Sequence, residues 1–526
     1  MQGDFGLSDN LCGAALPERF NFAQHVLALN AGRAAKAAYI DDSQNLSYGE
    51  LDSRVLRCAA GLLALGVQTE QRVLLLMLDT VDLPVAFLGA LYAGVVPVLV
   101  NTLLPASDVA YMLGHSGAKA FIASAPLWAL AQEALALSGT QPAVVLAGSE
   151  TSPAGTRRFA DLLQAEPLAA PADTHADDFA FWLYSSGSTG RPKGTVHSHA
   201  NLYWTAELYG KPVLGIREDD TVFSAAKLFF AYGLGNGLTF PLSVGATVVL
   251  MAERPTPAAV FKRIVEQRPS IFYGVPTLYV GMLAADEMPA RAQTALRLCA
   301  SAGEALPREV GERFTAHFGC EILDGLGSTE MLHIFLSNRR GHVRYGSTGE
   351  PVPGYEVELR GEDGRPVAPG EIGDLFIRGP SAALLYWTNR EKSRSTFQGE
   401  WVRSGDKYTV DGDGFYTYAG RSDDMLKVSG QYVSPIEVES SLMGHAAVLE
   451  CAVIGSPDSE GLTRTTAFVV LKKSRSASPE LADELKAFVK GRLTPHKAPR
   501  EIRFVDELPK TATGKIQRFK LRALNA

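Results

Sequence analysis

Short apolar runs alternate with segments of helical spacing through the first part of the chain. Four of these runs have the length and the β-branched content of buried strands: RVLLLML (72–78), VVPVLV (95–100), AKAFIAS (118–124) and AVVLAG (143–148). Continuous apolar runs are typical of parallel strands that are covered on both faces. Residues 128–136, between the last two runs, have helical spacing. The pattern predicts a wound α/β lobe.

The most apolar stretch, residues 83–100, is the candidate for a membrane-spanning helix. Proline and glycine interrupt it at Pro84, Gly89, Gly94 and Pro97. An uninterrupted span of about 20 apolar residues is what a transmembrane helix needs. We therefore interpret this stretch as a helix that runs into a strand, and we expect no membrane span.

The same alternation continues from residue 220 to 325 and predicts a second α/β lobe. Strands are expected at GATVVLM (245–251) and SIFYGVP (270–276), with a helix at 260–267 between them. Another helix is expected to begin at Pro307 and to end at Gly319, because proline favours the first turn and glycine the position after the last.

The pattern of apolar runs and of glycine and proline changes after residue 341. Glycine- and proline-punctuated strands such as 370–379 and 413–421 predict a small β-rich lobe. After Gly430 a compact α+β unit follows, and it starts with a capping box at SPIE (434–437) that has Pro435 in the first helical position. Its remaining predicted elements are strands at 449–455, 466–472 and 501–505 and a helix at 479–493.

The pattern as a whole predicts an α/β protein of two domains. The N-terminal domain, residues 1–422, would contain the two α/β lobes and the β-rich lobe, and the small C-terminal α+β domain would be residues 423–526. A chain of 526 residues is too long for one hydrophobic core, which agrees with this division.

Composition and charge exclude several classes of function. Apolar residues make up 46% and charged residues 20% of the chain, as in ordinary globular proteins. The net charge of −7 provides no basic field for nucleic acid. Five scattered cysteines without a CxxC pair argue against a disulfide framework or a zinc site, and the N-terminus lacks the pattern of a signal peptide. We expect a cytoplasmic protein that does not bind nucleic acid or membranes.

The stretch YSSGSTGRPKG (184–194) is the first candidate for chemistry. It holds three glycines, four serine or threonine hydroxyls and one lysine, and the apolar run DFAFWLY (178–184) leads into it, which disfavours a flexible linker. It is not a Walker A loop, because Pro192 stands where the second glycine should be. Glycine N–H groups, hydroxyls and Lys193 suit a polyphosphate, although a polar turn would have a similar composition.

Five further motifs follow this loop in order: SAGEALP (301–307), DGLGSTE (324–330), SGD (404–406), GRSDDMLKVSG (420–430) and PKTATGK (509–515). With the glycine loop they resemble the signatures of the acyl-adenylate-forming superfamily, which includes acyl-CoA synthetases, luciferases and peptide-synthetase adenylation domains. The resemblance implies that a carboxylate attacks the α-phosphorus of ATP to form acyl-AMP and pyrophosphate, after which a thiol displaces AMP. Because two anions must meet, catalysis would depend on charge neutralisation and positioning.

The resemblance also implies roles for individual residues. Lys515 matches the catalytic lysine that bridges the carboxylate and the phosphate, Thr329 would face the α-phosphate, and Glu330 matches the Mg²⁺ ligand. Asp406 would accept hydrogen bonds from the ribose hydroxyls, with Arg421 as a second contact, although either could belong to a structural ion pair. The residues implied for binding ATP and CoA are Ser185, Ser186, Gly187, Ser188, Thr189, Gly190, Lys193, Ser301, Ala302, Gly303, Glu304, Asp324, Gly325, Leu326, Asp406, Arg421, Lys427 and Gly430. Leu326 stands where many relatives have an aromatic residue that stacks on adenine.

Asp423 matches the hinge of the superfamily, and the neighbouring Asp424 is the alternative position. There the C-terminal domain rotates between the half-reactions, withdraws the catalytic lysine and presents KVSG (427–430) to the pantetheine channel. Acetylation of Lys515 or Lys427 would delete a charge that this cycle uses, which is a hypothesis for regulation.

The acyl pocket is expected between the glycine loop and DGLGSTE. Its predicted wall residues are Phe229, Phe230, Ala231, Tyr232, Gly233, Ala302, Gly327, His333 and Ile334. KLFFAYG and DGLGSTEMLHIF are similar to what benzoate-CoA ligases carry, so the implied substrates are benzoate, ATP and CoA, with Mg²⁺. Hydroxybenzoates, other aryl or short cyclic acids, and a carrier-protein thiol in place of CoA stay open alternatives, and a homodimer is a further expectation. His333 alone among apolar residues is interpreted as a wall residue rather than a proton carrier.

Overall fold

The computed structural model describes residues 16–187, 190–422, 425–428, 431–457, 463–472, 475–494, 497–510 and 516–524. Its strands are β1 (Ala37–Ile40), β2 (Asn45–Ser47), β3 (Arg72–Leu76), β4 (Val96–Leu99), β5 (Ala120–Ser124), β6 (Ala143–Ala147), β7 (Thr156–Arg158), β8 (Phe179–Gly187), β9 (Gly190–Ser198), β10 (Thr221–Ser224), β11 (Thr247–Val249), β12 (Ile271–Gly274), β13 (Leu298–Ser301), β14 (Ile322–Gly327), β15 (Ile334–Ser337), β16 (Glu350–Pro351), β17 (Glu356–Arg360), β18 (Gly373–Arg378), β19 (Leu385–Tyr386), β20 (Phe397–Gln398), β21 (Trp401–Val410), β22 (Tyr416–Arg421), β23 (Leu426–Val428), β24 (Gln431–Val433), β25 (Val448–Pro457), β26 (Thr463–Leu471) and β27 (Glu501–Phe504).

The α-helices are α1 (Phe22–Leu29), α2 (Tyr48–Ala64), α3 (Asp82–Tyr92), α4 (Ala106–Ser116), α5 (Trp128–Ser138), α6 (Phe159–Leu162), α7 (His199–Thr205), α8 (Ala231–Leu234), α9 (Phe240–Val244), α10 (Pro257–Gln267), α11 (Pro276–Leu283), α12 (Arg308–Phe318), α13 (Arg390–Thr396), α14 (Pro435–Met443), α15 (Pro479–Lys490) and α16 (Arg518–Leu524). Short 3₁₀ turns are at Ala31–Arg33, Ala125–Leu127 and Arg291–Gln293, and π-helical turns are at Ala206–Gly210 and Gly235–Thr239. Within the described ranges, no helix is long and apolar enough to span a membrane.

Eight of the described strands form the first sheet, in the order β19-β9-β8-β4-β3-β5-β6-β7. Its strands are parallel from β8 to β7, whereas β9 and β19 run antiparallel to their neighbours. The four apolar runs of the first lobe are confirmed as β3, β4, β5 and β6, and the stretch 83–100 is confirmed as α3 followed by β4. Every residue of α3 from Leu83 onward is buried, which explains why this helix lacks a polar face.

Nine described strands form the second sheet, in the order β16-β15-β14-β13-β12-β10-β11-β1-β2. The predicted strands and the helix of the second lobe are confirmed as β11, β12 and α10. Helix α12 starts at Arg308, one residue after the predicted start, and Pro307 is its N-cap. Gly319 ends the helix in the left-handed region with φ 70°. A continuous apolar core lies between the two sheets and joins residues such as Leu75 and Val248. This core holds the carboxyl ends of β13 and β14, and therefore the candidate site, at a fixed position.

The β-rich lobe is confirmed as a sheet of β17, β18, β21 and β20 with β22 on β21. The C-terminal unit contains β25, β26 and β27, with α14 and α15 packed on its core. Its predicted capping box forms only half: Ser434 accepts from the Glu437 N–H, but the Glu437 carboxylate accepts from Lys497 Nζ at 2.7 Å. The large N-terminal and small C-terminal parts agree with the predicted fold class, and the boundary at residue 423 stays a prediction.

Two ion pairs bind the end of the chain to this unit. Arg518, at the start of α16, donates to both carboxylate oxygens of the buried Glu439 at 2.8 Å. Lys510 Nζ lies 2.5 Å from a carboxylate oxygen of Glu450 on β25. Residues on both sides of 511–515 are thus attached to α14 and β25.

Candidate active site

The glycine loop is part of a β-hairpin. β8 continues past the predicted strand to Gly187, and β9 returns antiparallel, with Ser185 opposite Lys193 and Gly187 opposite Gly190. Ser186 is described as backbone of β8, and Ser188 and Thr189 lie outside the described residues. The predicted loop is therefore mainly paired strand, and Lys193 lies on the returning strand.

SAGEALP and DGLGSTE meet at one edge of the second sheet. β13 and β14 are parallel neighbours, and Ser301 at the end of one strand lies opposite Asp324 on the other. Burial raises the pKa of the Asp324 carboxyl to about 8, and the Ser301 hydroxyl and the Leu306 N–H oppose this shift only in part. Asp324 is therefore largely protonated at neutral pH.

The residues beside this pair differ in exposure. Gly303 is exposed and has φ 95°, a conformation that favours glycine, whereas Ala302 is buried. The Glu304 carboxylate accepts from the Thr277 hydroxyl at 2.7 Å. Leu326 is half-buried on β14, opposite Leu336, and offers an aliphatic surface. Ser301 and Asp324 thus lie side by side at the carboxyl ends of adjacent strands, with Leu326 two residues further along β14.

The end of DGLGSTE is attached to the hairpin by hydrogen bonds. Burial lowers the pKa of His197 on β9 to about 4, so its ring is neutral, and Nε2 lies 2.8 Å from the Thr329 carbonyl oxygen, to which it donates. The His197 ring stacks on Phe181 with 5.0 Å between ring centroids. The Ala383 N–H donates to the Glu330 carbonyl oxygen at 2.7 Å. The main-chain carbonyl groups of Thr329 and Glu330 are thus both hydrogen-bonded, the first to the His197 side chain and the second to the Ala383 N–H.

Tyr386 contacts both charged side chains at the centre of the site. Its hydroxyl donates to Glu330 Oε1 at 2.6 Å. Lys193 Nζ lies 4.5 Å from the centroid of the Tyr386 ring and 3.5 Å from its hydroxyl oxygen. Burial lowers the pKa of Lys193, and the nearby Glu330 carboxylate opposes that shift.

Glu330 is suited to a hard cation. The residues that the structure describes contain no group of three His, Cys, Asp or Glu side chains that could hold a metal by themselves. A single half-buried carboxylate fits Mg²⁺, which commonly takes one or two carboxylates and completes its shell with water and phosphate oxygens. The donor set is therefore compatible with Mg²⁺ held together with a nucleotide.

Asp406 and Arg421 are partners in an ion pair. They lie opposite each other on β21 and β22, and Arg421 Nη1 donates to Asp406 Oδ1 at 3.1 Å. The Asp406 side chain is 12% exposed and that of Arg421 is 44% exposed. The structural ion pair considered from the sequence is thus present, and it orients the Asp406 carboxylate.

Close packing shapes the predicted acyl pocket. Phe229 and Phe230 meet edge to face at 4.6 Å, directly before α8, which holds Ala231, Tyr232 and the buried Gly233. A Cβ on Gly235 would lie 2.2 Å from His333 Cδ2, and one on Gly327 would lie 2.7 Å from the His333 carbonyl oxygen. These two glycines leave the room that His333 occupies.

Three further glycine and aliphatic positions complete this wall. A Cβ on Gly325 would lie 2.9 Å from Ile334 Cγ2, and one on Gly233 would lie 2.0 Å from the Lys227 carbonyl oxygen. Ile334 is buried on β15, opposite Gly327. Tyr232, Gly327 and Ile334 thus lie next to His333, and Phe229, Phe230 and Gly233 lie in or directly before the helix that holds Tyr232.

His333 is a buried, neutral side chain. Burial lowers its pKa to about 3, and Nε2 lies 3.2 Å from the Tyr232 carbonyl oxygen, to which it donates. Nδ1 is then an acceptor, and it has no hydrogen-bond partner among the described residues. The rings of Tyr209, Tyr232 and Phe240 surround it, with centroids 4.5–5.6 Å away. This agrees with a wall residue rather than a proton carrier.

Several predicted residues lie outside the described part of the chain: Asp423, Asp424, Gly430 and Lys515. Lys427 is described only as backbone of β23, opposite Tyr432. Lys510 and Ile516, on either side of the Lys515 segment, form an antiparallel bridge. The roles of these residues stay predictions.

Sequence reasoning missed three residues that hold the site. Tyr386 and His197 are described above. The third is Asp79, three residues after β3, which accepts from the Leu228 N–H at 3.1 and 3.3 Å with its two oxygens. His197 lies in GTVHSHANL, directly after the glycine loop, so proximity to the motif was an available signal. Tyr386 and Asp79 are distant in sequence from the residues they contact, and no motif marks them.

Comparison with known proteins agrees with this geometry. Residues 28–387 match the AMP-binding enzyme family, and residues 437–515 match the AMP-binding enzyme C-terminal domain. A benzoate–CoA ligase of Thauera aromatica is 57% identical over 514 residues, which cover 97% of each chain. A 4-hydroxybenzoate–CoA/benzoate–CoA ligase of Rhodopseudomonas palustris is 48% identical and covers 94% of this chain and 92% of that protein.

Two solved structures share the architecture. A benzoate CoA ligase from Burkholderia xenovorans LB400 has a TM-score of 0.90 and 64% identity, and the match covers 96% of this chain and 100% of that one. The anthranilate CoA ligase AuaEII in complex with anthranoyl-AMP has a TM-score of 0.92 and 42% identity, over 97% and 98% of the two chains. The chain belongs to the AMP-binding enzyme family.

Proposed function

We propose that the protein is an ATP-dependent benzoate–CoA ligase, which converts benzoate and CoA to benzoyl-CoA by way of benzoyl-AMP and releases AMP and pyrophosphate. The observation that carries this proposal is the 57% identity to a benzoate–CoA ligase along nearly the whole chain, together with the aromatic rings that pack around His333 in the predicted acyl region. Ring faces and edges of Phe229, Phe230 and Tyr232 suit a benzene ring.

In the first half-reaction a benzoate oxygen would form a bond to the α-phosphorus of ATP while the bond from that phosphorus to the pyrophosphate oxygen breaks. Lys193 and the hairpin N–H groups would bind the triphosphate, and Lys515 would hold the carboxylate near the α-phosphate. Asp406, oriented by Arg421, would accept from the ribose hydroxyls. A divalent cation bound at Glu330 would neutralise charge on the phosphate oxygens.

In the second half-reaction the CoA sulfur would attack the acyl carbon, and AMP would leave with the electron pair of the broken bond. Rotation at Asp423 would withdraw Lys515 and bring the Lys427–Gly430 stretch to the thiol channel. Supporting this proposal, Lys510 and Ile516 flank the Lys515 segment in a unit attached to the rest of the small domain by its own ion pairs.

A hydroxybenzoate is a second candidate substrate. The unpartnered acceptor His333 Nδ1 favours it, because a buried acceptor without a donor is costly and a ring hydroxyl would satisfy it. The Tyr273 hydroxyl, buried beside Tyr232, also has no hydrogen-bond partner in the described part of the chain. These groups would recognise a substituent on the ring, whereas the apolar walls would recognise the ring itself.

The test is ATP–pyrophosphate exchange with benzoate, 4-hydroxybenzoate, hexanoate and acetate, followed by measurement of CoA thioester. We expect exchange with benzoate, thioester formation with free CoA, and weaker exchange with the two alkyl acids. Faster exchange with hexanoate or acetate would contradict the aromatic pocket, and transfer only to a carrier protein would contradict the CoA ligase. The homodimer and the cytoplasmic location stay predictions from the sequence.

A further inference from the structure

The backbone of Tyr386 is fixed where the hairpin meets the segment that ends at Glu330. β19 pairs with β9, so that Tyr386 lies opposite Thr195, and the Trp387 N–H donates to the Gly194 carbonyl oxygen at 2.8 Å. The Tyr386 N–H donates to Ser393 Oγ at 3.0 Å. These contacts do not involve the phenol, so a change of this side chain leaves the strand pairing in place.

The phenol is a proton donor to Glu330. A carboxylate has only acceptor oxygens, so the Tyr386 hydroxyl is the donor in this contact. At 2.6 Å the bond to Glu330 Oε1 has the length typical of an O–H donor with an ionised acceptor, the stronger class of hydrogen bond. One carboxylate oxygen is thus held, and the carboxylate is oriented around it.

The ring of the same residue contacts the Lys193 ammonium. A cation 4.5 Å from a ring centroid lies within the range of a cation–π contact. No direct ion pair between Lys193 and Glu330 occurs among the salt bridges of the described residues, although both charges touch Tyr386. A direct pair would neutralise the two charges that a nucleotide–metal complex needs.

We propose that Tyr386 is a positioning residue for adenylation: its hydroxyl orients the Glu330 carboxylate toward a divalent cation, and its ring keeps the Lys193 ammonium apart from that carboxylate and available to phosphate. The inference rests on the proposed function for the identity of the reaction, but it does not depend on which acid is activated. It assigns separate tasks to the hydroxyl and to the ring of one side chain.

The experiment compares Tyr386→Phe with Tyr386→Leu in the full chain. Tyr386→Phe removes only the hydroxyl and keeps the ring contacts to Lys193 and to Phe397, 5.2 Å away. Because a hydrogen bond to a charged group is lost, we expect Mn²⁺, measured by electron paramagnetic resonance with a non-hydrolysable ATP analogue, to bind about tenfold more weakly. Tyr386→Leu should show the same loss and should also weaken metal-free binding of the analogue severalfold, an effect that Tyr386→Phe lacks.

Tyr48→Phe is the matched control, because the buried Tyr48 hydroxyl donates at 2.7 Å to the Ala246 carbonyl oxygen, away from the site. It should bind Mn²⁺ within twofold of the wild type. Unchanged Mn²⁺ affinity in Tyr386→Phe, or an equal loss in Tyr48→Phe, would overturn the inference. A wild-type protein that binds metal and nucleotide but does not adenylate benzoate would overturn the proposed substrate and leave the role of Tyr386 intact.

Discussion

The carboxylates at the nucleotide end and the His333 ring at the acyl end of the candidate site differ in their hydrogen-bond partners. At the nucleotide end, Glu330 is bonded to Tyr386, Asp406 to Arg421 and Glu304 to Thr277. At the acyl end, His333 Nδ1 is buried without a partner among the described residues, inside a wall of aromatic rings. The nucleotide end also keeps buried oxygens without a partner among the described residues, at Ser185 and Asp324, so the difference concerns its ion-paired and hydrogen-bonded carboxylates, which are oriented before any substrate arrives.

The largest expected loss of activity follows from a change at the nucleotide end. Lys515→Ala should slow acyl-AMP formation by about 10³-fold, similar to the loss of a key electrostatic contact, and should change thioester formation from preformed benzoyl-AMP far less. The two rates are measured separately by pyrophosphate exchange and by CoA consumption. Lys486→Ala, in the same domain but paired with the exposed Asp483, is the control and should keep both rates. Equal loss of both half-reactions in Lys515→Ala would remove the assigned role.

Gly235→Ala should damage only the acyl end. The added Cβ would meet the His333 ring at 2.2 Å, and overpacking of a core costs about 1–3 kcal/mol. We expect a lower midpoint of urea unfolding and a raised KM for benzoate, with the KM for ATP unchanged. Gly281→Ala is the helical control, because its Cβ would have only an ordinary contact of 3.4 Å to Pro257. A raised KM for ATP in Gly235→Ala would contradict the claim that the acyl end can be changed without affecting the nucleotide end.

His333→Leu tests whether the acyl end distinguishes 4-hydroxybenzoate from benzoate. It removes the Nε2–H bond to the Tyr232 carbonyl oxygen and the bare Nδ1 acceptor, and we expect kcat/KM for 4-hydroxybenzoate to fall about tenfold more than that for benzoate. His317→Leu, which removes a comparable bond to the Pro289 carbonyl oxygen, serves as the control and should not alter this ratio. An equal fall for both acids would show that His333 supports only the shape of the wall.

The smallest expected effect is on pH dependence. Burial raises the pKa of Asp79 to about 6 from 3.8, while Lys227 and the Leu228 N–H oppose the shift, so the folded protein binds an extra proton between these values. Its contribution to stability is therefore greatest at low pH and falls as pH rises through 4 to 6. In Asp79→Asn, the fall in the free energy of unfolding from pH 5 to pH 6, measured with urea, should be smaller than in the wild type by about 1 kcal/mol. An unchanged slope would contradict this titration.

The sequence predicted the wound lobes because their strands are continuous apolar runs, and it predicted the ends of α12 because Pro307 and Gly319 act locally. The hairpin was harder to predict, because the pairing of Gly187 with Gly190 depends on the register between β8 and β9, which composition does not specify. Glu437 shows the same limit, because its capping role was lost to Lys497, 60 residues away. Tyr386 and His197 reach Glu330 and Thr329 over 56 and 132 residues, and only the folded chain brings them together.

The attachment of the chain end has a practical consequence. Arg518 neutralises a Glu439 carboxylate that is almost inaccessible to water, and removing one partner of a buried pair typically costs about 3–5 kcal/mol. A chain shortened by its last nine residues would keep Lys515 but leave that carboxylate uncompensated. Affinity tags and truncations at this terminus should therefore preserve Arg518, since its loss would destabilise the small domain, to which Lys515 belongs.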